Sequence, residues 1–257
     1  MTDDHVTSSE VEIAASPEAV WAAITTSSGS AAWSFRSEVE PREGGVVQLH
    51  RAPFGPDATA TVTAWEPPRR FAYADPVFAT EFLVTARGQG SCVVRVVSSL
   101  HVDGEGWDDI AEEAGTGWRM TLLTLRAYVT HFAGRSGSRL DFTMPVNTQS
   151  AARAEVGALV ARELGLNDLA AGAPFRTPTS APNVSGTIEH LGPYFTLLRV
   201  ARPCPGLFAI SAFPMDAVTL SVNVTGRLYG PDAEVIAERE HPRWQEWLAR
   251  LVAGAEH

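Results

Sequence analysis

The segment Ile13-Ala14-Ala15-Ser16-Pro17-Glu18-Ala19-Val20-Trp21-Ala22-Ala23-Ile24 constrains the fold more than any other. It describes a strand that ends abruptly at a helix start. Ser16 suits the N-cap, Pro17 the first helical position, and Glu18 the positive end of the helix dipole. Hairpins then follow one another, and a single long amphipathic helix closes the series. That order describes an antiparallel sheet wrapped around a helix, a shape suited to holding an apolar guest.

The hairpins are marked by turn residues. Val46 to Arg51 follows Gly44-Gly45, and Ala58 to Trp65 follows Gly55-Pro56-Asp57. Ala60, Val62 and Ala64 alternate with Thr59, Thr61 and Thr63, the period of a half-buried strand. Glu66-Pro67-Pro68 ends that strand. Arg69 to Ala74 starts the next, with Phe71 and Tyr73 on one face, and Phe78 to Arg87 pairs with Ser91 to Val102 around Gly88-Gln89-Gly90. In the helix, Ile110, Ala114, Trp118, Leu122, Leu125, Val129 and Phe132 form one apolar stripe. Gly115 and Gly117 interrupt it at a cost of roughly 1 kcal/mol each relative to alanine. Either the backbone is closely approached there, or a short helix ends and the main one begins near Thr116. If the helix is continuous, Trp107 and Trp118 share a face.

Gly134-Arg135-Ser136-Gly137-Ser138 is the candidate boundary between a domain over 1–134 and another over 135–257. Beyond it the order recurs in diverged form. A strand over Arg139 to Met144 precedes a helix over Ser150 to Leu164, with Val156, Leu159, Val160 and Leu164 inward and Gly165 past its end. Strands are expected over Gly186 to Leu191, Tyr194 to Arg202 and Leu207 to Phe213. Another is expected where Val218, Leu220, Val222 and Val224 alternate with polar residues. After Gly230-Pro231-Asp232 a terminal helix is expected, broken or bent by Pro242 and resumed through Trp244, Trp247, Leu248 and Leu251. A diverged duplication or an unrelated extension would both give this order; the duplication is the preferred reading.

Composition excludes more than it suggests. At 257 residues, 45% hydrophobic and 19% charged, the chain can bury a sizeable core. A net charge of −10 argues against nucleic acid and anionic membranes as partners. All 20 basic residues are arginines, which removes Schiff-base chemistry, a P-loop lysine and a lysine base. Cys92 and Cys204 are too few for a disulfide framework or a cysteine-rich metal site. No span-length apolar run or signal-like N-terminus is present, so a cytoplasmic location is expected. HExxH, GxSxG and a Gly-rich phosphate loop are absent, and neither metal nor cofactor is expected.

The segments Ile13 to Trp21, Val62-Thr63-Ala64-Trp65-Glu66-Pro67-Pro68-Arg69-Arg70-Phe71 and Gly117-Trp118-Arg119-Met120-Thr121-Leu122-Leu123 resemble the START-like, helix-grip superfamily, also called SRPBCC. The branch they are most similar to is the C-terminal domain of the Hsp-90 ATPase activator. The resemblance covers about Ser8 to Phe132 and implies an α+β fold in which a bent antiparallel sheet encloses a cavity roofed by the long C-terminal helix. Over 135–257 a second, diverged START-like or other α+β domain is expected from element order alone. The superfamily includes lipid carriers, hormone receptors and aromatic polyketide cyclases, and has no shared catalytic residues to transfer.

The residues expected to line the cavity are Trp33, His50, Trp65, Tyr73, Phe82, Trp118 and Leu122. His50 and His101 lie in strands and could act as acid or base, or sit at strand ends on the surface. Glu81 and Arg95 are expected to form a cross-strand pair on the outer face; turned inward, they would orient a polar ligand group. Three functions follow. The leading one is a small hydrophobic or aromatic ligand held without defined catalysis, with a homodimer as a possible assembly. The second is a polyketide cyclase or dehydratase-like enzyme using inward polar groups. The third is a chaperone-associated interaction protein. That role in the eukaryotic activator depends on a separate N-terminal domain, and nothing before Ser8 could be one.

Overall fold

A computed structural model of the protein describes residues 5–100, 107–148, 152–216 and 218–255. The chain divides into two compact units, Met1–Ser136 and Gly137–His257. Each is an α+β unit with one antiparallel sheet and a long C-terminal helix.

The first unit runs β1 (His5–Ile13), α1 (Pro17–Thr25), α2 (Ser27–Ala31), β2 (Arg36–Val39), β3 (Val46–His50) and β4 (Ala58–Glu66). It continues through β5 (Arg70–Ala74), β6 (Phe78–Ala86), β7 (Cys92–Leu100) and α3 (Trp107–Phe132). The sheet order is β1-β7-β6-β5-β4-β3-β2: a meander whose last strand lies against its first, with Ile13 opposite Cys92.

The strand-to-helix junction forms as its residue types dictate. Ser16 has extended backbone and its hydroxyl accepts from the Ala19 amide at 3.3 Å, with Pro17 at the first helical position. Thr26 then serves two helices: its hydroxyl donates to Ala22 O at 2.7 Å and accepts from the Gly29 amide at 3.0 Å. That ties the end of α1 to the start of α2, an element the sequence reading lacked.

α3 is one helix from Trp107 to Phe132, so the alternative in which a short helix ends near Thr116 does not hold. A Cβ on Gly115 would meet nothing within 4 Å, and the carbonyl of Gly115 accepts from Ser9 Oγ at 3.5 Å on β1. Helical backbone with open space beside it makes Gly115→Ala a stabilising change of about 1 kcal/mol. Urea unfolding that shows no gain, or a loss, would contradict this. The side chains of Trp107 and Ile110 lie outside the described residues.

The second unit runs β8 (Gly137–Asn147), α4 (Arg153–Glu163), β9 (Pro174–Arg176), β10 (Ser185–Leu191), β11 (Phe195–Arg202), β12 (Gly206–Asp216), β13 (Thr219–Tyr229) and α5 (Ala233–Ala255). Its sheet order, β8-β13-β12-β11-β10-β9, obeys the same rule, with the last strand against the first and the meander descending from it. The expected helix start at Ser150 lies outside the described residues. Val156, Val160 and Leu164 are buried, Leu159 is partly so, and Gly165 follows with a positive φ of 70°. α5 runs through Pro242 as one helix rather than breaking there.

The second core forms where α4 and α5 cover one face of the sheet. Leu140, Phe142, Phe208, Ile210, Val222 and Val224 meet Trp244, Trp247, Leu248 and Leu251. Phe208 stacks on Trp244 with ring centroids 4.7 Å apart, and Trp244 meets Trp247 edge-on at 5.5 Å. Gly226, mid-strand in β13, makes room for this stack: a Cβ there would lie 2.8 Å from the Phe208 ring. Asp141 and Arg227 form a buried ion pair at 2.5 Å, their side chains 5% and 1% exposed.

Candidate functional site

The site is built on the face of the first sheet that meets α3. Alternation along each strand and register between strands decide which residues stand on it. Ser9, Val96, Phe82, Phe71 and Trp65 form one row across β1, β7, β6, β5 and β4. Thr7, Ser98, Thr80, Tyr73 and Val62 form the next. α3 is fastened over them by Trp118, whose indole N–H donates to Ser98 Oγ at 2.8 Å. The Trp118 ring also meets Phe82 edge-on with centroids 5.9 Å apart. Leu122, one turn further along α3, is buried.

The first row carries a chain of rings. Phe82 lies against Phe71 at 6.3 Å, Phe71 against Trp65 at 5.5 Å, and Trp65 against Trp21 of α1 at 5.0 Å. Tyr73 flanks Phe71 at 5.4 Å. The second row carries hydroxyls. Ser98 Oγ lies 2.9 Å from Thr7 Oγ1 and takes the Trp118 indole, and the buried Thr80 hydroxyl adjoins the Tyr73 phenol. Burial pushes the Tyr73 phenol up; the adjoining Thr80 hydroxyl and Arg51 oppose that shift, and Asp75 adds to it. Cys92, on the same face of β7, is also pushed up, by burial first and by Glu18 second. Both groups are therefore protonated at neutral pH.

Of the expected lining residues, Trp65, Tyr73, Phe82, Trp118 and Leu122 come together here. Trp33 is buried, its indole N–H donating to Ala23 O of α1 at 2.9 Å. His50 alternates with Val47 and Leu49 and stands on the opposite face of β3, beside Glu38. Its Nδ1 lies 3.0 Å from Asp57 Oδ2 and its Nε2 3.5 Å from Glu38 Oε1. The hydrogen bond from His50 holds the Asp57 carboxyl below the usual range. His101 lies outside the described residues. Glu81 is on the outer face as expected, but its partner is Arg70, Nε to Oε1 at 2.6 Å, and not Arg95. Register explains the correction: Arg95 stands opposite Leu83, and Glu81 opposite Val97 and Ala72. Residues absent from the expected set are Trp21, Phe71, Thr80 and Ser98. Their signal was the parity of Thr80 with Phe82 and of Ser98 with Val96.

Residues 4–130 match the model of the family described as polyketide cyclase/dehydrase and lipid transport. The first unit belongs to the START-like superfamily. No curated protein matches the chain. Among solved structures, the START-like unit is similar to Bacillus halodurans protein BH1534, at 25% identity over 50% of this chain and 99% of that one, TM-score 0.43. It is also similar to the Aha1 dimer of Colwellia psychrerythraea, at 19% identity over 48% and 95%, TM-score 0.40. The di-domain ARO/CYC BexL of the BE-7585A biosynthetic pathway aligns with 98% of this chain and 97% of its own at 12% identity, TM-score 0.43. Among the described residues, no helix is long and apolar enough to cross a membrane.

Proposed function

We propose that the START-like unit binds a small hydrophobic or aromatic molecule between its sheet and α3, without a catalytic step of its own. The observation that carries this reading is the wall of rings from Trp65 through Phe71 and Phe82 to Trp118, which bridges sheet and helix on one face. Such surfaces favour flat apolar guests through area burial and edge-to-face contacts. The family description, which joins cyclases with lipid transport, supports the same reading. An acid–base enzyme of cyclase or dehydratase type is the second reading, favoured by the buried phenol of Tyr73. Against it, Tyr73 and Cys92 are both held neutral by burial and neither supplies a base at neutral pH.

Native mass spectrometry of protein purified without denaturant tests the binding. A retained small molecule, or uptake of an added naphthalene derivative, is expected. Trp118→Ala, which removes both the ring over Phe82 and the donor to Ser98, is expected to weaken uptake about tenfold. Unchanged affinity with an unchanged melting temperature would overturn the placement of the site.

A further inference from the structure

His50 ends β3, where the chain enters the loop 51–57, and both of its ring nitrogens face carboxylates. Nδ1 lies 3.0 Å from Asp57 Oδ2, at the far end of the loop, and Nε2 lies 3.5 Å from Glu38 Oε1 on β2. Nε2 is closed off from water and has no hydrogen-bond partner among the described residues; its contact with Glu38 is too long to be one. A neutral imidazole has one N–H and one lone pair, so one of the two carboxylates always meets the lone pair. An imidazolium donates to both.

The other charges around the ring are tied down. Arg36, opposite His50 in the register, holds Glu38 Oε1 at 2.8 Å, and Arg51 Nε donates to Pro56 O at 2.8 Å. Asp57 also closes the loop from within: its Oδ1 accepts from the Arg51 amide at 3.1 Å, and the Phe54 amide donates to Arg51 O at 2.9 Å. The hydrogen bond from His50 holds the Asp57 carboxyl below the usual range, so Asp57 stays ionised in the mild acid that charges an imidazole.

We propose that His50 is a proton-operated staple for the loop 51–57. Protonated, it ties the loop to β2 through Asp57 and Glu38 together; neutral, it holds only one of the two. The loop is therefore tightest in mild acid and slackens as the imidazole loses its proton. Arg51, whose charge acts on Tyr73, rides on this loop, so the state of His50 reaches the ring-bearing face. The staple itself stands whether or not that face takes a guest.

Hydrogen–deuterium exchange of the full chain, corrected for the intrinsic rate at each pH, reads the protection of the Arg51 and Phe54 amides. From about pH 8 to about pH 5.5 that protection is expected to rise about fivefold in the wild type. His50→Asn keeps a donor that cannot be charged and is expected to show no rise. Glu38→Gln keeps the shape but removes the second carboxylate, and is expected to rise less than about twofold. No rise in the wild type, or a full rise in either variant, would overturn the staple. An equal rise at the Arg87 amide, which donates to Ser91 O at 2.8 Å in the β6–β7 turn, would mark a change in the whole unit and overturn it likewise.

Discussion

Trp244→Ala is expected to lower the melting temperature of the second unit by on the order of 15 °C. Trp244 is 1% exposed, stacks on Phe208 and meets Trp247 edge-on, so alanine leaves a ring-sized void at the centre of the core. Trp→Ala in such a place costs about 3–5 kcal/mol. The surroundings relax poorly because the groove at Gly226 exists to admit the Phe208 ring, and β13 cannot move inward past Leu140. Trp244→Phe retains a stacked ring and is expected to lose less than half as much. Circular dichroism melts of the two variants measure the difference, and equal losses would show that the stack is not what holds this core.

Asp141→Ala is the second large effect, at about 3–5 kcal/mol, because it strands the Arg227 guanidinium at 1% exposure without its carboxylate. Arg227 Nη1 also donates to Gly226 O at 2.6 Å, a contact that holds the charge in place but does not neutralise it. The exposed Arg139, which also reaches Asp141 at 2.8 Å, loses little when the carboxylate goes. Replacing both partners, as in Asp141→Leu with Arg227→Met, is expected to recover most of the loss. Chemical denaturation of the single and double variants decides it: if the double variant is as unstable as the single, the charge is not the cause.

Much of the first unit was legible because local chemistry and long-range pairing agree there. Ser16-Pro17 fixes a helix start without help from elsewhere, and the threonine–aliphatic alternation of Ala58 to Trp65 fixes a strand and its faces. β2 was missed because Arg36-Ser37-Glu38-Val39 carries one apolar residue, and its strand character comes from pairing with β3. α2 was missed because five small residues have no periodicity; Thr26 and its two hydrogen bonds make the helix. Gly115 does not break the helix, and the approach there is of Ser9 Oγ to its carbonyl, a contact that leaves the space for a Cβ open. Pro242 does not break α5, because tertiary burial of Trp244 and Trp247 holds the helix together across it.

For the candidate site, aromatic residues on one strand parity point to one face, which is why Trp65, Tyr73 and Phe82 stand together. His50 fell on the other face because the register of β3, set by pairing Val47 with Ala60, turns its odd positions inward. Thr80 carried no special signal, since threonine is an ordinary strand former. Burial on the helix-facing side of the folded sheet distinguishes it from the exposed Thr59 and Thr61.

The pairing of first strand with last governs how each unit emerges from the ribosome. Ile13 has to wait for Cys92 before its own ladder can form, and Asn147 for Thr219. At about 5–20 residues per second the leading strand of a nascent unit stays without its neighbour for roughly 4–16 s. During that interval its polar alternation, with Thr7, Ser9, Glu10 and Glu12 among its residues, keeps an open edge soluble where a continuous apolar strand would invite another chain to pair with it.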